Sequence, residues 1–270
     1  MLVEKTVSKY PISLRSACKL FGMSKQGYYY KPKQSGDHYK SVLKELAYQY
    51  PKYGYWKLYH LMRNQGYAIN HKRVHRLYKA LNLQMRKQTK KRLVGIIAHP
   101  IVIPHKPNQI WSIDFMTDTL ISSSRFRTLN IIDDFNREAL AIEAASSITG
   151  LRLTRILDKV ASYRGYPKQI RCDNGPELRS KAFAQWAQQH QVNIRFIQPG
   201  KPSQNAIIER FNGTYRREVL NAYLFKSIRH VQEITDKWLD EYNNVRPHAS
   251  LGHVPPRRFA EQKLLLQVDK

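Results

Sequence analysis

Three carboxylates in this 270-residue chain stand where a phosphoryl-transfer or hydrolytic reaction could use them: Asp114, Asp173 and Glu209. Asp114 lies inside Trp111-Ser-Ile-Asp-Phe-Met116, whose alternation places Trp111, Ile113 and Phe115 on one face of a strand and Asp114 on the other. An uncompensated charge is costly in such a place. Asp173 ends a short strand, Gln169–Cys172, immediately before an Asn-Gly turn. Glu209 follows after 35 intervening residues, on a segment that reads as a helix capped by Ser203. Asn205, Glu209, Asn212 and Arg216 recur there at offsets of 0, 4, 7 and 11, the repeat of one helical face, which leaves Ala206, Ile207 and Phe211 to pack on a core.

Singly, each acid has an ordinary reading: a buried strand residue, a turn, a solvated helix side chain. Gathered, they would raise each other's pKa unless a cation lay between them. Oxygen ligands without a Cys-x-x-Cys pair select hard ions, Mg²⁺ or Mn²⁺, rather than zinc. Two such ions about 3.5–4 Å apart can activate a water or a 3′-hydroxyl and stabilise the leaving oxygen of an in-line displacement. Glu177, four residues after Asp173, reads as a supporting side chain, and Asp133 and Asp134 as hairpin residues. His71 and His75 have a His-x3-His spacing, but with no cysteine pair they read as helix-surface residues.

The elements that must position these acids follow from periodicity. From Gln109 the pattern is βββαβαβα with a helical tail, an α/β domain. Strands are expected over Trp111–Met116, Phe126–Asp133, Glu138–Glu143, Gln169–Cys172 and Val192–Ile197, and helices over Leu151–Tyr163, Leu178–Gln189, the Glu209 segment and Ile228–Tyr242. Upstream, residues 11–30 read as two short helices around Gly22, with Ser13 and Ser24 as caps and Cys18 as a packing residue. Residues 38–85 read as three helices, the last capped by Asn70, with Val74, Leu77, Tyr78 and Leu81 inward and Lys72, Arg73, Arg76 and Lys79 outward. The basic run Arg86–Arg92 and Pro100, Pro104 and Pro107 read as a tether. The expected division is 1–35, a short helix-turn-helix; 36–95, a helix-turn-helix DNA-binding region; 96–107, a basic and proline-rich linker; and 108–265, the α/β domain with its helical tail.

Charge names the partner. The chain carries 46 Lys and Arg against 20 Asp and Glu, a net +26. Residues 1–107 hold 22 of those cations and 3 of those acids, and no acid occurs between Glu45 and Asp114. Positive charge at that density calls for a polyanion, and nucleic acid is the leading one. No apolar run approaches the roughly 18 residues of a membrane span. The N-terminus lacks the apolar core of a signal peptide, so a soluble cytoplasmic protein is expected.

The motifs together resemble a known family. Trp111-Ser-Ile-Asp114, Asp173-Asn-Gly-Pro-Glu177, Ile197-Gln-Pro-Gly-Lys-Pro-Ser-Gln-Asn-Ala-Ile-Ile-Glu-Arg-Phe211 and Tyr242-Asn-Asn-Val-Arg-Pro-His248 resemble the catalytic subunit of bacterial insertion-sequence transposases, the product of the second reading frame, in the DDE or retroviral-integrase superfamily. The resemblance implies a ribonuclease-H-like integrase core preceded by all-α helix-turn-helix modules. It implies a DNA transposase that cleaves element ends and performs strand transfer, with Asp114, Asp173 and Glu209 as ligands of two Mg²⁺ or Mn²⁺ ions. Asn205 and Arg216, and more weakly Lys201, are expected to contact DNA beside the scissile phosphate. Double-stranded DNA, a homo-oligomeric synaptic complex and an upstream-frame product fused by frameshifting are the implied partners, at the nucleoid. A catalytically inactive DNA-binding scaffold or repressor, and a ribonuclease-H-type nuclease without joining activity, are the alternatives.

Overall fold

The computed structural model describes residues 2–29, 37–85, 104–198 and 202–268. These residues form two compact units, Met1–Tyr48 and Gln49–Lys270. In the first, helices α1 (Leu2–Lys9), α2 (Leu14–Leu20) and α3 (Lys25–Tyr29) close over Val3, Ala17 and Cys18. Ser13 caps α2 through the Ser16 amide, and Gly22 makes the turn at φ +63°, where a side chain would be strained. Cys18 is buried, as a packing residue should be; α1 lay outside the expected pair. Helix α4 (Asp37–Gln49) completes the N-terminal elements.

The second unit begins with α5 (Tyr55–Asn64) and α6 (His71–Ala80). Asn70 caps α6 by accepting from the Lys72 amide at 2.8 Å; Val74 and Tyr78 are buried, while Lys72, Arg76 and Lys79 are exposed. His71 packs edge-on against Trp56, and His75 lies against Tyr55. This helix pair is fastened to the α/β domain: Lys57 Nζ reaches Glu218 at 3.2 Å, Tyr53 donates to Glu241 at 3.0 Å, and the His60 and His253 rings stack 3.5 Å apart.

The α/β domain is built on a five-stranded sheet in the order β3-β2-β1-β4-β5, with β1 (Ile110–Thr119), β2 (Arg125–Asp133), β3 (Ala139–Ala145), β4 (Gln169–Cys172) and β5 (Asn193–Phe196). β1, β2 and β3 are antiparallel, while β4 joins β1, and β5 joins β4, in parallel. The alternation in β1 divides the core in two. Trp111 and Ile113 enter a layer completed by α7 (Gly150–Arg164) and α8 (Lys181–Gln189). The opposite face packs on α9 (Ala206–Tyr215), its π-helical continuation Arg216–Leu220, and α10 (Ile228–Asn244). Fully burying side chains such as Phe126, Ile208 and Tyr215 contributes about 1.5–3 kcal/mol each. The chain ends in α11 (Pro256–Val268). Among the described residues no helix is long and apolar enough to cross a membrane.

Two features of the C-terminal part escaped periodicity. Side-chain amides of α10 occupy the free edge of β3: Gln232 bonds Ile142 O and Ala144 N–H, and Asn243 bonds both backbone groups of Ala139. An edge strand is thereby closed to other chains. The motif Tyr242–His248 anchors the loop after α10. Arg246 pairs with Glu218 at 2.9 Å, and His248 is buried with Nε2 3.4 Å from Tyr242 O.

Burial first, then the Arg246 charge, depresses the His248 imidazole to about 3. A histidine held neutral stabilises fully above its unfolded pKa near 6.5 and loses that contribution as pH falls toward about 3. Unfolding free energy should therefore drop by about 1.4 kcal/mol per pH unit across that window. Denaturant titrations at stepped pH should show a shallower slope in His248→Gln than in wild type.

Candidate active site

Asp114 occupies the middle of β1, opposite Asn130 of β2, on the face that receives α9. Its Oδ1 accepts from the Phe115 amide at 2.8 Å, and its Oδ2 accepts from Asn212 Nδ2 at 2.7 Å. Asn212 Oδ1 in turn accepts from Asn130 Nδ2 at 2.7 Å, so two buried amides hold the carboxylate from β2 and α9 together. Asn212 was legible as a polar member of the Glu209 face; its bond to Asp114 required the fold.

Asp173 follows β4, the parallel neighbour of β1, and its Oδ1 accepts from the Gly175 amide at 3.0 Å. A methyl group added to Gly175 would lie 3.1 Å from that oxygen and 3.5 Å from Glu177 Oε2, so the two carboxylates line one small space. Glu177 is anchored by Arg127 through its other oxygen, while Oε2 is buried without a hydrogen-bond partner. Burial works to raise its pKa, but the bonds from Arg127 and its own amide prevail and hold it below the ordinary carboxylate value. Glu209 lies in the first turn of α9, exposed, and its pKa is raised by partial desolvation.

Asp114 feels the charges of the other two acids. The Asp114 carboxyl is raised to about 6: burial is the main cause, the charges of Asp173 and Glu209 add to it, and the Phe115 and Asn212 bonds oppose it. Among the described residues no cationic side chain bonds to any of the three, unlike Glu177. The donor set fits a hard divalent cation: carboxylate oxygens without a counterion, beside an unpartnered Glu177 oxygen. The arrangement is open, and among the described residues no three acidic, histidine or cysteine side chains stand together as a formed metal cage.

The expected single face of the Glu209 helix is broken at both ends. Residues Pro202–Asn205 form a 3-10 turn, so the α-helix starts at Ala206 with Asn205, not Ser203, at its N-cap. Asn205 is buried, with its Oδ1 lacking a partner. At the other end the π-helical turn begins at Arg216, whose guanidinium lies 3.4 Å from Asp118 Oδ2 and donates to Thr117 O at 3.0 Å. A 3.6-residue period holds only within the α-helical stretch. Lys201 lies outside the described residues, as does the Arg86–Arg92 tether. Lys72, Arg76 and Lys79 stand exposed on α6, with Arg73 half-buried.

Asp133 and Asp134 turn at the β2–β3 hairpin as expected, yet both are fully buried. Asp133 accepts from the Asn108 and Phe135 amides, and Asp134 faces Arg171 at 2.9 Å and accepts from Ser112 at 2.7 Å. They tie β1, β2 and β4 together at the end of the sheet.

Integrase core domain models match residues 104–202 and 190–256, and an HTH-like domain model matches residues 37–92. The insertion element IS407 31.7 kDa protein of Burkholderia multivorans is 41% identical over 254 residues, 93% of this chain and 92% of the relative. The insertion element IS476 39.2 kDa protein of Xanthomonas euvesicatoria is 39% identical over 261 residues, 96% and 75% of the two chains. Among solved structures, a chain of the simian T-cell lymphotropic virus intasome aligns with a TM-score of 0.50 at 16% identity, covering 81% of this chain and 74% of that one. That likeness is one of fold, a ribonuclease-H-like integrase core, which in this chain follows an HTH-like region.

Proposed function

This chain belongs to the integrase-core family of bacterial insertion-element transposases, and from that membership we propose that it cleaves the ends of its element and joins each freed 3′-hydroxyl to a target phosphodiester. The observation that carries the reading is Asp114, held by Asn212 on the face that receives α9 and raised by the charges of Asp173 and Glu209, with no side-chain cation bonded to the three acids among the described residues. Asp114, Asp173 and Glu209 would hold Mg²⁺ or Mn²⁺, two ions in this reading, which would supply Lewis-acid stabilisation of the transferring phosphoryl group. Asn212 and Asn130 keep Asp114 turned toward α9, and no Ser or Tyr nucleophile is required of the chain. Exposed Lys72, Arg76 and Lys79, with Arg73, would take DNA phosphates along α6. Asn205, Lys201 and Arg216 are assigned to DNA nearer the carboxylates, Arg216 on release from Asp118. A homo-oligomeric synapse on double-stranded DNA, joined by an upstream-frame product, completes the working assembly in this reading.

The test is incubation of the purified chain with element-end duplexes, a target duplex and Mg²⁺ or Mn²⁺. Joined products are expected; hydrolysed ends alone would reassign the chain as a nuclease, and binding without cutting as a scaffold. Asn212→Ala removes the donor that orients Asp114, and such supporting contacts are worth about 10–100-fold in metal affinity. Calorimetric Mn²⁺ titration should show that weakening while the far-UV spectrum stays native. Unchanged affinity would remove Asn212 from the positioning of the site.

A further inference from the structure

On a neighbouring face of α9 lies a basic cleft. A cleft of about 540 Å³ runs between α5, α9 and the loop after α10, lined by Lys57, Arg137, Arg210, Arg217 and Arg246 and by no Asp or Glu. We propose that this cleft holds the sugar–phosphate backbone of a DNA strand, with Arg210 and Arg217 contacting successive phosphates. The inference rests on the DNA-transfer reading given above, and adds a second strand-binding place to it.

The five cations are not equivalent. Lys57 and Arg246 are both held by Glu218, at 3.2 and 2.9 Å, and Arg137 donates to the Asp134 carbonyl. Arg210 and Arg217 are exposed, and among the described residues neither is ion-paired; Arg217 makes only a 3.3 Å bond to Thr214 Oγ1. The charges work against each other: after burial, Arg246 and Arg217 lower the Lys57 pKa, and Arg210 lowers that of Arg137. An entering anion would relieve that repulsion. Two guanidinium forks without an acidic partner among the described residues suit phosphate oxygens, which they bind in paired geometry. The floor is apolar, from Phe211 and Tyr242, and Trp56 at the rim is 43% exposed, a flat surface on which a base can stack. Position favours a continuous strand. Ala206, Arg210 and Thr214 advance along one side of α9, Arg217 lines the same cleft from the π-helical continuation, and Arg210 directly follows Glu209.

The experiment uses the full chain, a duplex and the same strand unpaired. Arg210→Gln/Arg217→Gln should bind about 10–100-fold more weakly, with the slope of log affinity against log salt shallower by about 0.9 per arginine lost on duplex. Arg210→Lys/Arg217→Lys should recover most of the slope. Ser250→Cys places an exposed thiol on the cleft wall, while the native cysteines Cys18 and Cys172 are buried. It should exchange with DNA carrying an activated mixed disulfide tethered to its phosphate, forming the protein–DNA disulfide as the tether's small thiol leaves, and the double Gln change should abolish that product. If DNA binds with unchanged affinity and slope in the double variant, or never crosslinks to Ser250→Cys while bound, the proposal is overturned. Inorganic phosphate or pyrophosphate blocking the thiol where DNA fails to reach it would assign a small anion instead, which also overturns it. Should the Gln variant misfold, the crosslink in the otherwise native chain decides. Asp173→Asn should abolish strand transfer yet keep the crosslink, so the two readings fail separately.

Discussion

Strand transfer should fall at least about 10³-fold in Asp173→Asn and in Glu209→Gln, with DNA affinity within about twofold of wild type. Both substitutions keep shape and remove charge, and in Asp173→Asn the side-chain amide oxygen can still accept from the Gly175 backbone N–H, as the carboxylate does now. What they remove is a metal-binding oxyanion, and Lewis-acid stabilisation of the displacement is worth several kcal/mol, a decade of rate for each 1.36 kcal/mol. The folded protein should not weaken, because one of the like charges that press on Asp114 is gone. Single-turnover joining assays, with thermal unfolding measured beside them, make the check. Full activity in either variant would show that the carboxylate does not hold the metal.

Arg171→Leu should destabilise the α/β domain by about 3–5 kcal/mol, the cost of leaving a buried charge without its partner. Asp134 is 0% exposed and Arg171 4% exposed, with Nη1 and Oδ2 2.9 Å apart. That contact is poorly directed for a hydrogen bond, so charge carries most of it. Burial pushes the Asp134 pKa up, and Arg171 is the first of the groups that oppose it. Asp134→Leu/Arg171→Leu should recover much of the loss, because apolar replacement of a buried pair is often neutral or stabilising. Equilibrium denaturation of the single and double variants measures both numbers. A single change costing under about 1 kcal/mol would mean that water reaches Asp134.

The strands from Trp111 to Phe196 were legible because alternation, glycine and proline positions, and short apolar runs are local signals. The α6 cap at Asn70 and its buried Val74 and Tyr78 were legible for the same reason. Asp133 and Asp134 were harder. Their hairpin position is local, but their burial depends on Asn108, Arg164 and Arg171, which come from distant segments. The Tyr242–His248 stretch carried a pattern without a role until Glu218, from a π-helical turn no periodicity announces, supplied the partner of Arg246.

By itself, the order of residues determined that Asp114 lies mid-strand, that Asp173 ends a strand, that Glu209 lies on a helix, and that the chain carries a polyanion binder's charge. Those are properties of neighbours in sequence, set by backbone periodicity and composition. Tertiary structure decided which polar neighbours the acids keep: Asn212, itself held by Asn130, for Asp114, Gly175 for Asp173, and, among the described residues, no bonded cation. It also split the expected DNA face, turning Arg216 onto Asp118 and leaving Arg210 and Arg217 open to a cleft. The physical reason is range. Helical and strand periods are fixed over a few residues, whereas repulsion between carboxylates and the pairing of arginines act through space, between groups that only the packed sheet and helices bring together.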